Sequence, residues 1–455
     1  MIKFIRKIFI SHPSEAGQTY LEHLMFSMCL SLRGFIIFVS GLVHSIFPFL
    51  CVRTASSYSY QNIEKIESQS NHHEKSVDVL SNQDEIRFID LISQKNMIKK
   101  NVMNSLEKVV DSGAYIQGQP VRDLENKLAI YTQTEHVIAC SSGTDALLLA
   151  MLALPLEPGD AVLMPSFGFV AAAEMALLLK LKPVFIDSDM TTFNIGLADI
   201  EKGYHDCKNS GLKPKAVVAI NTFGLPCDYD SIGLFCKNHN LYLIEDCAQS
   251  FGAVYKGAKS GCLADISCTS FFPSKPLGCY GDGGAVFTNN NDFAKLMRCM
   301  QTHGQSAKKY HYDMTGINGR LDTLQAAILL EKLRVFDDEM VLRQKVASYY
   351  TNALRDILDT PFLPSDRTSA WAQYTLKHHN RDKLVHQLKK KNIPTAIHYP
   401  LPLQSQLPYQ ACMVSSDGCP NAQALCDLVF SIPMHPYLTT QQQDMVIEGI
   451  KEASL

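Results

Sequence analysis

A chain of 455 residues with 46% hydrophobic residues has room for two or three structural units and a large buried core. Its formal net charge of -3 leaves no basic footprint, so nucleic acid is not an expected partner. The fourteen cysteines are scattered, with no CxxC pair and no Cys/His cluster at zinc spacing, which argues against a disulfide framework or a metal site and for a reducing compartment.

In chain order, the first feature is Gly34 to Val52, GFIIFVSGLVHSIFPFLCV, 19 residues without Asp, Glu, Lys or Arg. That is close to the length of a bilayer-spanning helix, and its Gly and Pro are tolerated in a membrane. The run starts too far from Met1 for a secretory signal. Lys3, Arg6, Lys7 and Arg33 precede it and only Arg53 follows closely, so a single span would export everything downstream. A hairpin or re-entrant segment instead keeps both ends in the cytoplasm. The patterns SHPSEAGQTYLEHL and GLVHSIFPFLCVRTAS resemble a small bacterial membrane-associated domain of unknown function, usually a separate short protein. Residues 1–58 are therefore expected to be a fused membrane-associated helical module. A polar stretch follows, and residues 59–85 are expected to be a flexible linker.

Beyond residue 85 the composition is that of an α/β enzyme. Short runs rich in Val and Ile, AVLMP (161–165), KPVFID (182–187), KAVVAI (215–220), LYLIED (241–246) and GAVFT (284–288), alternate with helical patterns. This rhythm predicts a mostly parallel sheet with helices on both faces. It restarts near residue 335 after the helical RLDTLQAAILLEKL, which divides the region into a large domain, 86–335, and a smaller α+β domain, 336–455.

Three segments in the large domain carry candidate chemistry. Cys140-Ser141-Ser142-Gly143-Thr144 lies between an apolar strand and a helical run, and a helix start with free N–H groups suits a phosphate, although a plain cap reads the same way. LYLIED ends on Glu245-Asp246, a carboxylate at the carboxyl end of a strand, where open α/β sheets bind ligands. Ser270-Phe271-Phe272-Pro273-Ser274-Lys275 is followed by Gly278, Gly281, Gly283 and Gly284, and such turns can hold an amine where it forms an imine with an aldehyde. GxxxxGK[ST] is absent, which excludes a P-loop.

The order SGT, ED-x-AQ, S-x4-K and N-x-R changes the weight of each piece. With IQGQPVRDLENKLA, PSFGFVAAAE, NTFGLPCDYD, GINGRLDTLQAAIL, IHYPLPLQSQ and PMHPYLT, it resembles the DegT/DnrJ/EryC1/StrS family of sugar aminotransferases, from about Ile86 to the C-terminus. The resemblance implies a type I pyridoxal-phosphate (PLP) transferase fold, a mostly parallel seven-stranded sheet with helices on both faces, and no metal. On matching positions, Lys275 would bond the cofactor aldehyde and shuttle the proton, and Asp246 would pair with the pyridine nitrogen. Gln249 would contact the phenolic side of the ring and Phe169 would stack on it. Gly143, Thr144 and Ser270 would hold the phosphate. Asn318 would reach the phosphate of a neighbouring subunit, which implies a homodimer with shared active sites. Gly319 stands where relatives read Ser, which predicts a looser backbone for Asn318 and Arg320, and Gly168 stands where Thr is common.

The string TSFFPSKPLGCYGDGGA, with HGQ and GRLDTLQAAIL, looks most like aminotransferases acting on UDP-linked 3-keto-glucuronate sugars for bacterial surface polysaccharides such as O-antigen, with L-glutamate as donor. A uronic substrate calls for cationic groups, and Arg320 and His398, with Tyr399 beside it, are the candidates. Related dehydratases carry histidine in place of the lysine, so Lys275 weighs against dehydration. A 4-keto-6-deoxy sugar as substrate, or a membrane-tethered regulator without catalysis, are the remaining alternatives. The catalytic part is expected in the cytoplasm, tethered to the inner membrane.

Overall fold

The computed structural model describes residues 85–305, 308 and 310–454. The proposed membrane segment and nearly all of the polar linker lie outside the described residues. Among those described, no helix is long and apolar enough to cross a membrane.

Residues Ile86–Leu455 form one compact unit. It runs α1 (Leu91–Ser112), α2 (Gln119–Thr132), β1 (His136–Cys140), α3 (Gly143–Ala153), β2 (Asp160–Pro165), α4 (Ala171–Leu178), β3 (Lys182–Ile186), α5 (Leu197–Asn209), β4 (Lys213–Ile220), α6 (Tyr229–His239) and β5 (Tyr242–Asp246). A small hairpin, β6 (Val254–Tyr255) and β7 (Ala258–Lys259), precedes β8 (Ile266–Ser270), β9 (Gly284–Thr288), α7 (Asn291–Met300), α8 (Thr323–Leu333) and α9 (Phe336–Leu354). The remainder is β10 (Tyr374–Lys377), α10 (Arg381–Lys390), β11 (Met413–Val414), α11 (Pro420–Leu428), β12 (Val429–Ile432) and α12 (Thr440–Ser454).

The main sheet has the order β1-β9-β8-β5-β4-β2-β3-β11, with β9 alone antiparallel to its neighbours. It has eight strands, where seven were expected. The extra one is β11, two residues that return from the C-terminal region to pair in parallel with Val184 and Phe185 at the β3 edge. All five apolar runs read as strands form strands, because the sheet is covered on both faces and its residues are almost wholly buried. One face packs against α3, α4 and α7 through a core that includes Leu149, Val162, Val218 and Met297. The other packs against α5 and α6 through Leu163, Ile200, Val217 and Ile232. Gly203 on α5 permits close approach, since a Cβ there would lie 2.4 Å from Ile186 Cγ2.

A separate core, containing Val346, Tyr350, Tyr374, Phe430, Val446 and Ile450, joins α9, α12 and the antiparallel pair β10–β12. Ile86 from the start of the unit inserts into it. The sheet register matters most for function. Cys140 and Ser270 both pair with Gly284, and Asp246 pairs with Ile220 and Cys268. The ends of β1, β4, β5 and β8 and the start of β9 thus converge at one edge.

Candidate active site

At that edge α3 begins. Ser142 is its N-cap, and its hydroxyl accepts from Asp145 N at 3.0 Å. The N–H groups of Gly143 and Thr144, in the first turn, have no intrahelical acceptor and lie at the positive end of the helix dipole. Glycine is required here by close approach. A Cβ on Gly143 would sit 2.6 Å from Ser270 Cβ, and one on Gly284 would sit 2.4 Å from Ser142 O. Gly143, Ser270 and Gly284 therefore form a cradle that side chains would fill, with a hydroxyl, N–H donors and a dipole facing an anion. A phosphate fits this donor set. Gly284→Ala is expected to weaken phosphate-ester binding about tenfold or more, whereas Gly168→Ala, whose Cβ would meet Ile220 Cδ1 at 3.4 Å, is expected to bind as wild type; a PLP titration compares them.

Lys275 lies on the turn after β8, its backbone N–H donating to Phe272 O at 2.9 Å, and it is partly buried. Among the described residues no carboxylate lies within ion-pair distance of its amine. Burial pushes its pKa below the ordinary lysine value, and the charge of Asp246 opposes that shift. Asp246 ends β5. Burial raises its pKa, while the Ala248 N–H, donating at 3.0 Å, and the positive charge of Lys275 pull it back. An amine whose pKa is lowered by burial, with a carboxyl whose charge acts on it, is what imine chemistry and pairing with a ring nitrogen require. The residues fit PLP.

Gln249 is fixed at both ends, its Oε1 accepting from Phe223 N at 2.7 Å and its Nε2 donating to Tyr399 Oη at 3.3 Å. Tyr399 is pushed up to about 12 by burial, so its phenol stays protonated. Its ring lies 6.4 Å from that of Phe169, which is 53% exposed. His398 faces Ser431 Oγ at 3.4 Å, and burial together with the charge of Lys275 lowers its pKa. Both effects disfavour its charged form, whereas a uronate would favour a cation there. Lys275, Asp246, Gln249, His398 and Tyr399 are brought together.

Asn318 and Arg320 take a different place. Arg320 bridges to Cys140 across the backbone, its Nε donating to Asn318 Oδ1 at 2.9 Å. It lines a separate pocket with Gln117, Arg122, Glu125 and Arg298. The backbone at Gly319 is not loose as expected, because Ser141 N donates to Gly319 O at 3.1 Å and Gly319 N to Gln301 O at 3.0 Å. Sequence reasoning gave no role to Asn221 and Phe223, which with Glu245 hold the site from behind. The signal for the first two was the NTFG motif, in which Phe223 takes a left-handed φ of 58°.

Residues 96–451 match the DegT/DnrJ/EryC1/StrS aminotransferase family, and residues 6–69 match a family of unknown function, DUF6356. The chain is 43% identical over 356 residues to the UDP-2-acetamido-2-deoxy-3-oxo-D-glucuronate aminotransferase of Pseudomonas aeruginosa, covering 78% of this chain and 96% of that protein. It is 35% identical over 363 residues to the UDP-N-acetyl-3-dehydro-alpha-D-glucosamine 3-aminotransferase of Acidithiobacillus ferrooxidans, covering 78% and 95%. Among solved structures it is similar to a DegT DnrJ EryC1 StrS aminotransferase from Brucella abortus, with TM-score 0.80, 41% identity and coverage of 81% and 99%. It is also similar to S. venezuelae DesV in complex with a ketimine intermediate, with TM-score 0.77, 29% identity and coverage of 81% and 98%.

Proposed function

The chain belongs to the DegT/DnrJ/EryC1/StrS aminotransferase family, and from that premise we propose that it moves the amino group of L-glutamate onto C3 of UDP-2-acetamido-2-deoxy-3-dehydro-glucuronate. The observation that carries the reading is the strand register that sets Asp246, Ser270 and Gly284 at neighbouring strand ends, with Gly143 packed against Ser270 and the charges of Lys275 and Asp246 acting on each other. The cofactor is PLP, which supplies a reactive carbonyl and an electron-withdrawing ring. The rest belongs to the chain. The cradle and the first turn of α3 would hold the phosphate, and Phe169 would lie against the ring. Asp246 would keep the ring nitrogen protonated, and Gln249, tied to Phe223 and Tyr399, would orient the phenolic side. Lys275 takes the proton from the amino carbon of glutamate and later returns one to C3 of the sugar. His398 and Tyr399 offer neutral hydrogen bonds to the sugar, and Arg320 is the cation for its carboxylate.

Two chains share each site in this reading, with Asn318 and Arg320 serving the site of a second copy; Arg320 lines a pocket with Gln117, Glu125 and Arg298 that contains none of Lys275, Asp246, Gln249, His398 and Tyr399. Residues 86–335 would then form the cofactor domain and 336–455 its smaller companion. Residues 1–58 tether the enzyme to the cytoplasmic face of the inner membrane, near surface-polysaccharide assembly; the apolar run Gly34 to Val52 supports this. Mass spectrometry of reactions with glutamate and either UDP-linked 3-keto-glucuronate or a 4-keto-6-deoxy sugar tests the substrate. Amination of the first alone is expected, and amination of only the second sinks the assignment. Fractionation of the full chain and of a form lacking residues 1–58 tests the tether, which equal solubility would refute.

A further inference from the structure

Glu245 has a fully buried side chain and a place directly before Asp246, on the opposite face of β5. Among the described residues no cation lies within ion-pair distance of it. Its two oxygens are instead saturated by donors. Oε1 accepts from Asn221 Nδ2 at 3.0 Å. Oε2 accepts from Ser267 Oγ at 2.6 Å, Gly261 N at 3.1 Å and Leu263 N at 3.2 Å. These donors come from the turn after β4, the loop after β7 and strand β8, so one carboxylate gathers three segments behind the sheet edge. A buried carboxylate without a cation is an expensive way to stabilise a fold, and an apolar side chain of similar size would serve stability better.

What the carboxylate does is legible through Asn221. With its amide NH2 held by Glu245 and Ser250 Oγ (2.8 Å), Asn221 turns its Oδ1 to Cys227 N (2.9 Å) and Tyr229 Oη (2.8 Å). Its backbone N–H donates to Asp246 O at 3.0 Å. Two residues later in the same turn, Phe223 N holds Gln249 Oε1. We infer that Glu245 is a positioning residue for both ring contacts of the cofactor, fixing Asp246 and Gln249 through Asn221. This rests on the PLP reading.

Glu245→Gln tests it selectively. The glutamine carbonyl can keep the three donors on the Oε2 side, but its NH2 then faces the NH2 of Asn221, donor against donor. Glu245→Gln is expected to weaken PLP binding about tenfold or more and to shift the pH titration of the bound cofactor's absorbance. The double variant Glu245→Gln/Asn221→Asp reverses the polarity of the pair, and recovers most of both. A merely structural role would lower the melting temperature of Glu245→Gln and leave affinity and titration of the folded protein unchanged, which overturns the inference. So does a double variant no better than the single. Should Glu245→Gln fail to fold, Tyr229→Phe, which removes one donor from Asn221 Oδ1, must show a smaller shift of the same sign; no shift overturns the inference. A wild-type chain that takes up no PLP overturns the cofactor reading as well, whereas unchanged variants overturn this inference alone.

Discussion

Lys275→Ala is expected to abolish covalent attachment of PLP and to lower the amination rate by at least about 10⁴-fold, because in the proposed reaction one residue supplies both the imine-forming amine and the proton carrier. The protein should still fold and bind the phosphate ester, since the cradle of Gly143, Ser270 and Gly284 does not use the lysine side chain. The visible absorbance band of the bound cofactor and single-turnover rates with glutamate measure the two losses. The neighbours report the change independently. The charge of Lys275 lowers the pKa of His398 and of Asp246 in the protein without cofactor, so its removal should raise both. An NMR titration in which His398 fails to move upward would show that the two side chains do not share a pocket. Lys275→Arg, which keeps the charge, should leave His398 low while remaining inactive.

Asp246→Asn is expected to cost on the order of a thousandfold in amination with PLP still attached to Lys275, because the ring nitrogen loses the partner that keeps it protonated. The electrostatic sign is fixed by the pair. Burial lowers the lysine pKa and the Asp246 charge raises it, so the asparagine variant should lower it further. In the protein without cofactor, the pH at which the amine becomes reactive should therefore shift down, as followed by borohydride trapping of pyridoxal across pH. An upward shift would contradict the geometry. The chemical consequence is a variant whose lysine is a readier nucleophile and whose turnover is nonetheless poor, which separates attachment from catalysis.

Much of this was open to reading from the chain alone, for local reasons. A strand that is buried on both faces must be apolar, so AVLMP, KPVFID, KAVVAI, LYLIED and GAVFT announce themselves and each forms a strand. Helix starts carry their caps in sequence, as Ser142 does for α3. The order SGT, ED-x-AQ, S-x4-K and N-x-R pointed to the family. The shortfall lies where distant segments meet. Strand β11 is two residues long and has no pattern of its own, and only the chain's return past β3 makes it the eighth strand. The charge of His398 could not be read from IHYP, because burial and a lysine 123 positions earlier set it. Gly319 suggested slack and is pinned on both sides by Ser141 and Gln301.

The sequence by itself determined which residues are the candidates for the chemistry, since Lys275, Asp246 and the SGT turn are chemical identities written into local motifs. The tertiary structure decided how they act. It set Gly143, Ser270 and Gly284 within contact of one another and buried the lysine beside the carboxyl. It lowered the pKa of His398 by burial and backed Asp246 with the network of Glu245 and Asn221. Each of these depends on burial and on hydrogen bonds between residues far apart in the chain, quantities that exist only once the sheet register has closed.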